Sequence, residues 1–232
     1  MRVSASSVVL PCLITLLLLA GCSKSDAPFE APPTEPAEAE RQQHEAPVGR
    51  LGNTVVPTRY RLELRVTPAE ESFSGNVSID IEIRETLDSV WLHGKDFRVD
   101  EVFLTDAAGN RVAASYEQKH ESGVSLVSLV QTVDVGPATL DISFRRPFDT
   151  GTDGLFRVLR GEDAYVATQF QPIAARKAFP GFDEPAFKVP FDLMLVTRSD
   201  HVAITTTSEI ATEALEDGYV CLLYTSPSPR DS

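Results

Sequence analysis

Val77-Ser78-Ile79-Asp80-Ile81-Glu82-Ile83 alternates an apolar with a polar residue at every step. Successive side chains of an extended strand point to opposite faces, so this run offers one face to a core and the other to water. Its apolar members are all β-branched, which suits a pleated surface. The same period recurs on either side. Tyr60, Leu62, Leu64 and Val66 alternate with Arg61, Glu63 and Arg65. Leu140, Ile142 and Phe144 alternate with Asp141, Ser143 and Arg145, and Val189, Phe191, Leu193 and Leu195 repeat the pattern later. Turn signals fall between these runs at Thr67-Pro68-Ala69, Ala108-Gly109-Asn110, Val135-Gly136-Pro137 and Thr150 to Gly154. No amphipathic helix of useful length is visible, and Asp183 to Phe187 holds a turn at most. Short strands at regular spacing predict an all-β domain, a sandwich or open barrel, over residues 49–219.

The chain has 232 residues, 42% of them hydrophobic, and a formal charge of -13 from 34 acids and 21 bases. That balance argues against nucleic acid as a partner, since neutralising phosphate needs a basic face. The three cysteines are Cys12, Cys22 and Cys221. The body between Cys22 and Cys221 therefore has neither a disulfide framework nor a thiolate metal site.

Met1-Arg2 followed by the apolar run Val8 to Ala20 predicts a signal peptide over residues 1–21, too short for a comfortable membrane span. Leu19-Ala20-Gly21-Cys22 resembles the bacterial lipobox, in which the cysteine is acylated after cleavage. That resemblance implies Cys22 as a lipidation site, a membrane as partner through the lipid anchor, and a place in the bacterial cell envelope, at the outer membrane or periplasm. Residues 22–48 follow as an acidic tether; Ser23 to Val48 holds five prolines and six acids and cannot bury enough apolar surface to offset ordering entropy.

The densest stretch of the chain is Thr168-Gln169-Phe170-Gln171-Pro172 with Ala175-Arg176-Lys177-Ala178-Phe179-Pro180-Gly181-Phe182-Asp183-Glu184-Pro185. No simple periodicity explains it. It resembles the segment T-Q-[FC]-[EQ]-x…A-R-[RK]-x-F-P-x-[FW]-D-E-P of the aminopeptidase N family of zinc metallopeptidases. Phe73-Ser74-Gly75-Asn76-Val77-Ser78-Ile79 and Gly154-Leu155-Phe156-Arg157 resemble two further family segments, in the right order. The resemblance covers roughly Val56 to Thr207. It implies a saddle-shaped amino-terminal β domain that lends one side chain to a neighbouring catalytic cleft.

By that resemblance Gln171 binds the free α-amine of a peptide substrate, and Gln169 lines the same cleft. A Gln carbonyl accepts from an ammonium but brings no charge, so it anchors more weakly than the family's Glu. Arg176 and Lys177 are expected to brace the contact or pair with Asp183 and Glu184. Asp183-Glu184-Pro185 reads as a rigid turn rather than an acid–base pair. Gly181 stands where many members have Cys, and the missing side chain is expected to loosen that loop.

The family's zinc site is H-E-x-x-H on a helix. The histidines here are His44, His93, His120 and His201, no two of them four apart, so no catalytic residue and no metal ligand is assigned. No cofactor is expected in this chain; zinc would belong to a separate catalytic domain downstream. Residues 220–232 do not resemble the family's continuation and read as a non-native tail. Two functions are compatible with these residues. One is the substrate-binding domain of a lipid-anchored zinc aminopeptidase that releases amino-terminal residues. The other is a non-catalytic β module that binds peptides or protein partners at a surface.

Overall fold

The computed structural model describes residues 45–226. The expected signal peptide, Cys22 and most of the expected tether lie outside them.

The described chain is built from strands, with two short 3-10 turns and no α-helix. In chain order the strands are β1 (Val55–Arg65), β2 (Ser72–Ile83), β3 (Leu87–His93), β4 (Arg98–Thr105), β5 (Arg111–Gln118) and β6 (Val124–Val133). Then come β7 (Gly136–Pro147), β8 (Gly154–Arg160), β9 (Asp163–Gln169), β10 (Phe191–Arg198), β11 (Glu209–Ala214) and β12 (Tyr219–Ser226). Ten of them join in the order β11-β12-β10-β1-β2-β7-β4-β5-β6-β3, while β8 and β9 pair as a separate hairpin. The all-β expectation is borne out.

The alternation sets which face is inside. Along β2, Val77, Ile79, Ile81 and Ile83 are all at most 1% exposed, while Ser78, Asp80 and Glu82 face outward. On β7, Leu140, Ile142 and Phe144 are likewise buried opposite them. Each such side chain contributes about 1.5–3 kcal/mol by leaving water. Val90, Leu92, Val112 and Val127, from the far end of the sheet order, join the same apolar cluster. The sheet therefore curls over a common interior, as a sandwich or open barrel requires.

Two junctions shape the sheet. β10 runs parallel to β1, with Tyr60 opposite Phe191, whereas β1 with β2, β2 with β7 and β10 with β12 are antiparallel. β5 changes partners along its length. It pairs with β4 only through Arg111–Ala113 and with β6 from Ala114 onward.

The boundary expected near residue 220 falls within a strand. Tyr219–Ser226 pairs antiparallel with β10 along eight positions, and Leu222 and Tyr224 are buried.

Candidate functional site

The hairpin β8–β9 delivers the chain to the dense stretch. Gly154 opens β8 opposite Gln169, which closes β9. Gly154 has φ +70°, and a Cβ there would stand 2.5 Å from Lys177 Cβ, so only glycine lets the hairpin lie this close to the 3-10 turn Ala175–Lys177. Leu155 anchors the inner face, and Arg157 donates to the Pro68 carbonyl at 2.7 Å. Phe156, Val158, Tyr165 and Ala167 alternate onto the outer face together with Gln169. Val158 and Tyr165 are 44% and 54% exposed.

Gln169 and Gln171 are both exposed, and neither side chain is hydrogen-bonded among the described residues. The backbone around them is held: the Ala174 N–H donates to Phe170 O at 2.8 Å, and Ala174 is buried. The ring of Phe170 packs edge-on against Phe179. Two free amides thus project from a fixed turn.

The loop that follows is closed by a buried ion pair. Arg176 is 7% exposed and donates from Nε to Asp183 Oδ2 at 2.9 Å, and from Nη2 to the Asp183 carbonyl at 3.1 Å. Its Nη1 reaches Ser122 O at 3.1 Å, on the turn before β6. The pairing expected for Arg176 is therefore present. Lys177 differs: its Nζ lies 3.7 Å from Asp149 and 3.5 Å from Asp153, because the turn aims it under the hairpin and away from Asp183. Glu184 accepts the Leu51 N–H at 2.6 Å and so ties down the entering chain.

Gly181 is not loose. It exchanges two backbone hydrogen bonds with His93, at 2.7 and 2.8 Å, and a Cβ there would meet the Tyr60 ring at 3.0 Å. The expected loosening is corrected on that ground: the missing side chain makes room for Tyr60. The Tyr60 hydroxyl accepts the Phe182 N–H at 2.8 Å, and burial pushes its pKa well above the ordinary phenol value. Tyr60, Phe179, Phe182, Phe187 and Phe191 line a pocket of about 180 Å³ beside Arg176.

His93 is the residue that sequence reading missed. It is 2% exposed, and its Nδ1 has no hydrogen-bond partner. Burial, with the nearby Arg176 charge, lowers its pKa to about 4, so the ring is neutral at pH 7. Only its position at the end of an apolar strand, Val90-Trp91-Leu92-His93, hinted at burial.

Among the described residues no group of three or more His, Cys, Asp or Glu side chains is placed to hold a metal ion. Asp183, whose charge is felt at His93, is committed to Arg176. These residues do not fit a zinc centre, and no chemical step through zinc is derived from them.

An all-β body thus carries a hairpin ending at Gln169 and a dense loop closed by the Arg176–Asp183 pair. Residues 56–232 match the Peptidase M1 N-terminal domain, and the chain belongs to that family, as an amino-terminal domain of the aminopeptidase N group. It is 31% identical over 193 residues to the human thyrotropin-releasing hormone-degrading ectoenzyme, covering 80% of this chain and 18% of that protein. It is 27% identical over 190 residues to the puromycin-sensitive aminopeptidase of Caenorhabditis elegans, covering 79% and 20%. Human endoplasmic reticulum aminopeptidase 1 is 26% identical over 180 residues, covering 74% and 19%. The chain spans about a fifth of the length of these curated relatives.

These relatives are eukaryotic, which overturns the bacterial-envelope assignment drawn from Leu19-Ala20-Gly21-Cys22.

Proposed function

We propose that this domain holds the free amino terminus of a peptide for a zinc aminopeptidase, with Gln171 as the α-amine acceptor and Gln169 beside it. The observation that carries the reading is the pair of exposed, unbonded amides on a backbone held by the pairing of Gln169 with Gly154 and by the Ala174 N–H bond to Phe170 O. An ammonium is bound well where acceptor oxygens are held still before it arrives, because little entropy is then lost. A carboxamide oxygen supplies the geometry without charge, so the contact is weaker than a carboxylate would give. The apolar outer face of β8–β9 supports the same reading. A lone two-stranded hairpin is marginal in water, and its exposed Val158 and Tyr165 are suited to packing against the catalytic part of a longer polypeptide. Zinc, the attacking water and the general base would come from that part.

The test is steady-state hydrolysis of aminoacyl-anilides by the full-length enzyme. Gln171→Ala lowers kcat/KM by about 5- to 30-fold, the loss of about 1–2 kcal/mol from one hydrogen bond to a charge. Gln171→Glu raises affinity for the free amine. An unchanged kcat/KM in both variants would place Gln171 outside the cleft.

A further inference from the structure

β4 and β5 pair through only three positions, Phe103–Thr105 against Arg111–Ala113, and then separate. Both continue as strands. From Arg98 to Val102, β4 keeps β7 on one side, with a register shift at Asp100. From Ala114 to Gln118, β5 keeps β6 on the other. The two inner edges face a notch of about 500 Å³, lined by Val99, Val102, Ala113, Ala114 and Tyr116 with polar groups at its rim. Among the described residues no backbone hydrogen bond reaches into it from either edge. Each edge therefore presents the unpaired N–H and C=O groups that a strand would use.

The rim is charged. Asp100 is held by Arg145 at 2.7 Å, and Glu101 Oε1 by Arg111 at 2.9 Å. The Arg111 guanidinium also lies 3.3 Å over the ring of Phe103, so it is fixed to one wall. Glu101 Oε2 has no partner among the described residues, and the side chain is 61% exposed. Arg98 lies 3.7 Å from Asp100 as well, so of the two rim carboxylates Glu101 is the one with an oxygen left free among the described residues.

We propose that this notch is a docking site for an extended peptide segment, which enters as an extra strand between β4 and β5. The main chain of the ligand pairs with the free edges, its small apolar side chains turn toward Val102 and Ala114, and a flanking lysine or arginine meets Glu101. Strand addition of this kind draws affinity from the backbone and specificity from alternate side chains. The open edge of β4, five residues long, spans about 17 Å, room for four or five residues of ligand. The site is separate from Gln171 and does not depend on the amine-binding reading.

The test uses the full chain and a fluorescent hexapeptide, lysine-valine-threonine-valine-threonine-lysine, blocked at both ends so that it has no free α-amine. Fluorescence anisotropy is expected to show saturable binding that weakens as salt is raised. Ala113→Trp, an exposed position that would plug the notch, lowers affinity at least tenfold, while Gln171→Ala leaves it unchanged. Methylating alternate backbone nitrogens of the probe keeps its side chains, removes the donors along one of its two edges and also lowers affinity at least tenfold. No saturation at millimolar peptide, equal binding of the methylated probe, or a loss with Gln171→Ala overturns the proposal.

Discussion

Arg176 and Asp183, seven residues apart, close a loop through both side-chain and backbone contacts, with Nε to Oδ2 at 2.9 Å and the Arg176 N–H to the same oxygen at 3.3 Å. Everything between them, including Phe179 and Gly181, is shaped by that closure. Both side chains are largely buried, at 9% and 16% exposure. Removing one partner strands the other charge, whereas removing both does not.

Asp183→Ala is expected to cost about 3–5 kcal/mol, read as a lower denaturant midpoint at unchanged slope. The double variant Arg176→Met, Asp183→Leu recovers a large part of that loss. A single variant as stable as the parent would show that the pair is not coupled.

Acid should weaken the fold through His93. Its pKa is about 6.5 unfolded and about 4 folded, so the unfolded chain takes up the proton first as pH falls. The contribution is complete above pH 6.5, declines from there to pH 4 and is gone below, amounting to about 3 kcal/mol at most. Unfolding free energies measured between pH 7.5 and 4 check it. His93→Gln flattens this part of the profile, and an identical slope in the variant would exclude His93 as the source.

Gly154→Ala is expected to cost about 2–3 kcal/mol, because it combines a positive φ with a 2.5 Å approach to Lys177 Cβ. Gly151→Ala, three residues earlier and in open space, serves as the control and stays within about 0.5 kcal/mol. Thermal melting of the two variants separates close packing from general loop stiffening; equal midpoints would refute the packing argument.

Gln169→Ala is expected to leave stability unchanged within about 0.5 kcal/mol, since the side chain is exposed and bonds to nothing among the described residues. Its effect belongs to KM for peptides with a free amine, measured in the full-length enzyme. A drop in melting temperature would show a structural role instead.

The alternating runs made β1, β2 and β7 legible because each has a strongly buried face. β10 was legible as a strand, yet its Phe191, Leu193 and Leu195 are only half-buried, since period alone does not say how near an open margin a strand lies. β11 left no apolar signal, and all six of its residues are exposed. The parallel pairing of β1 with β10 was not readable, because alternation specifies a face and never a neighbour. At the site, Arg176 with Asp183 followed from opposite charge at short range. Lys177 with Asp149 did not, because that contact depends on how the hairpin folds back.

The joining of β1 to β10 has a cost during biosynthesis. One side of β1 must wait, bare, until the chain has been made as far as residue 191, and contacts between distant segments form slowly. Over that interval a ribosome-bound intermediate carries a sticky margin that invites chaperone capture or self-association. In the finished domain the amides of Phe191–Arg198, less deeply covered, are expected to exchange their hydrogens before those of Val77–Ile83.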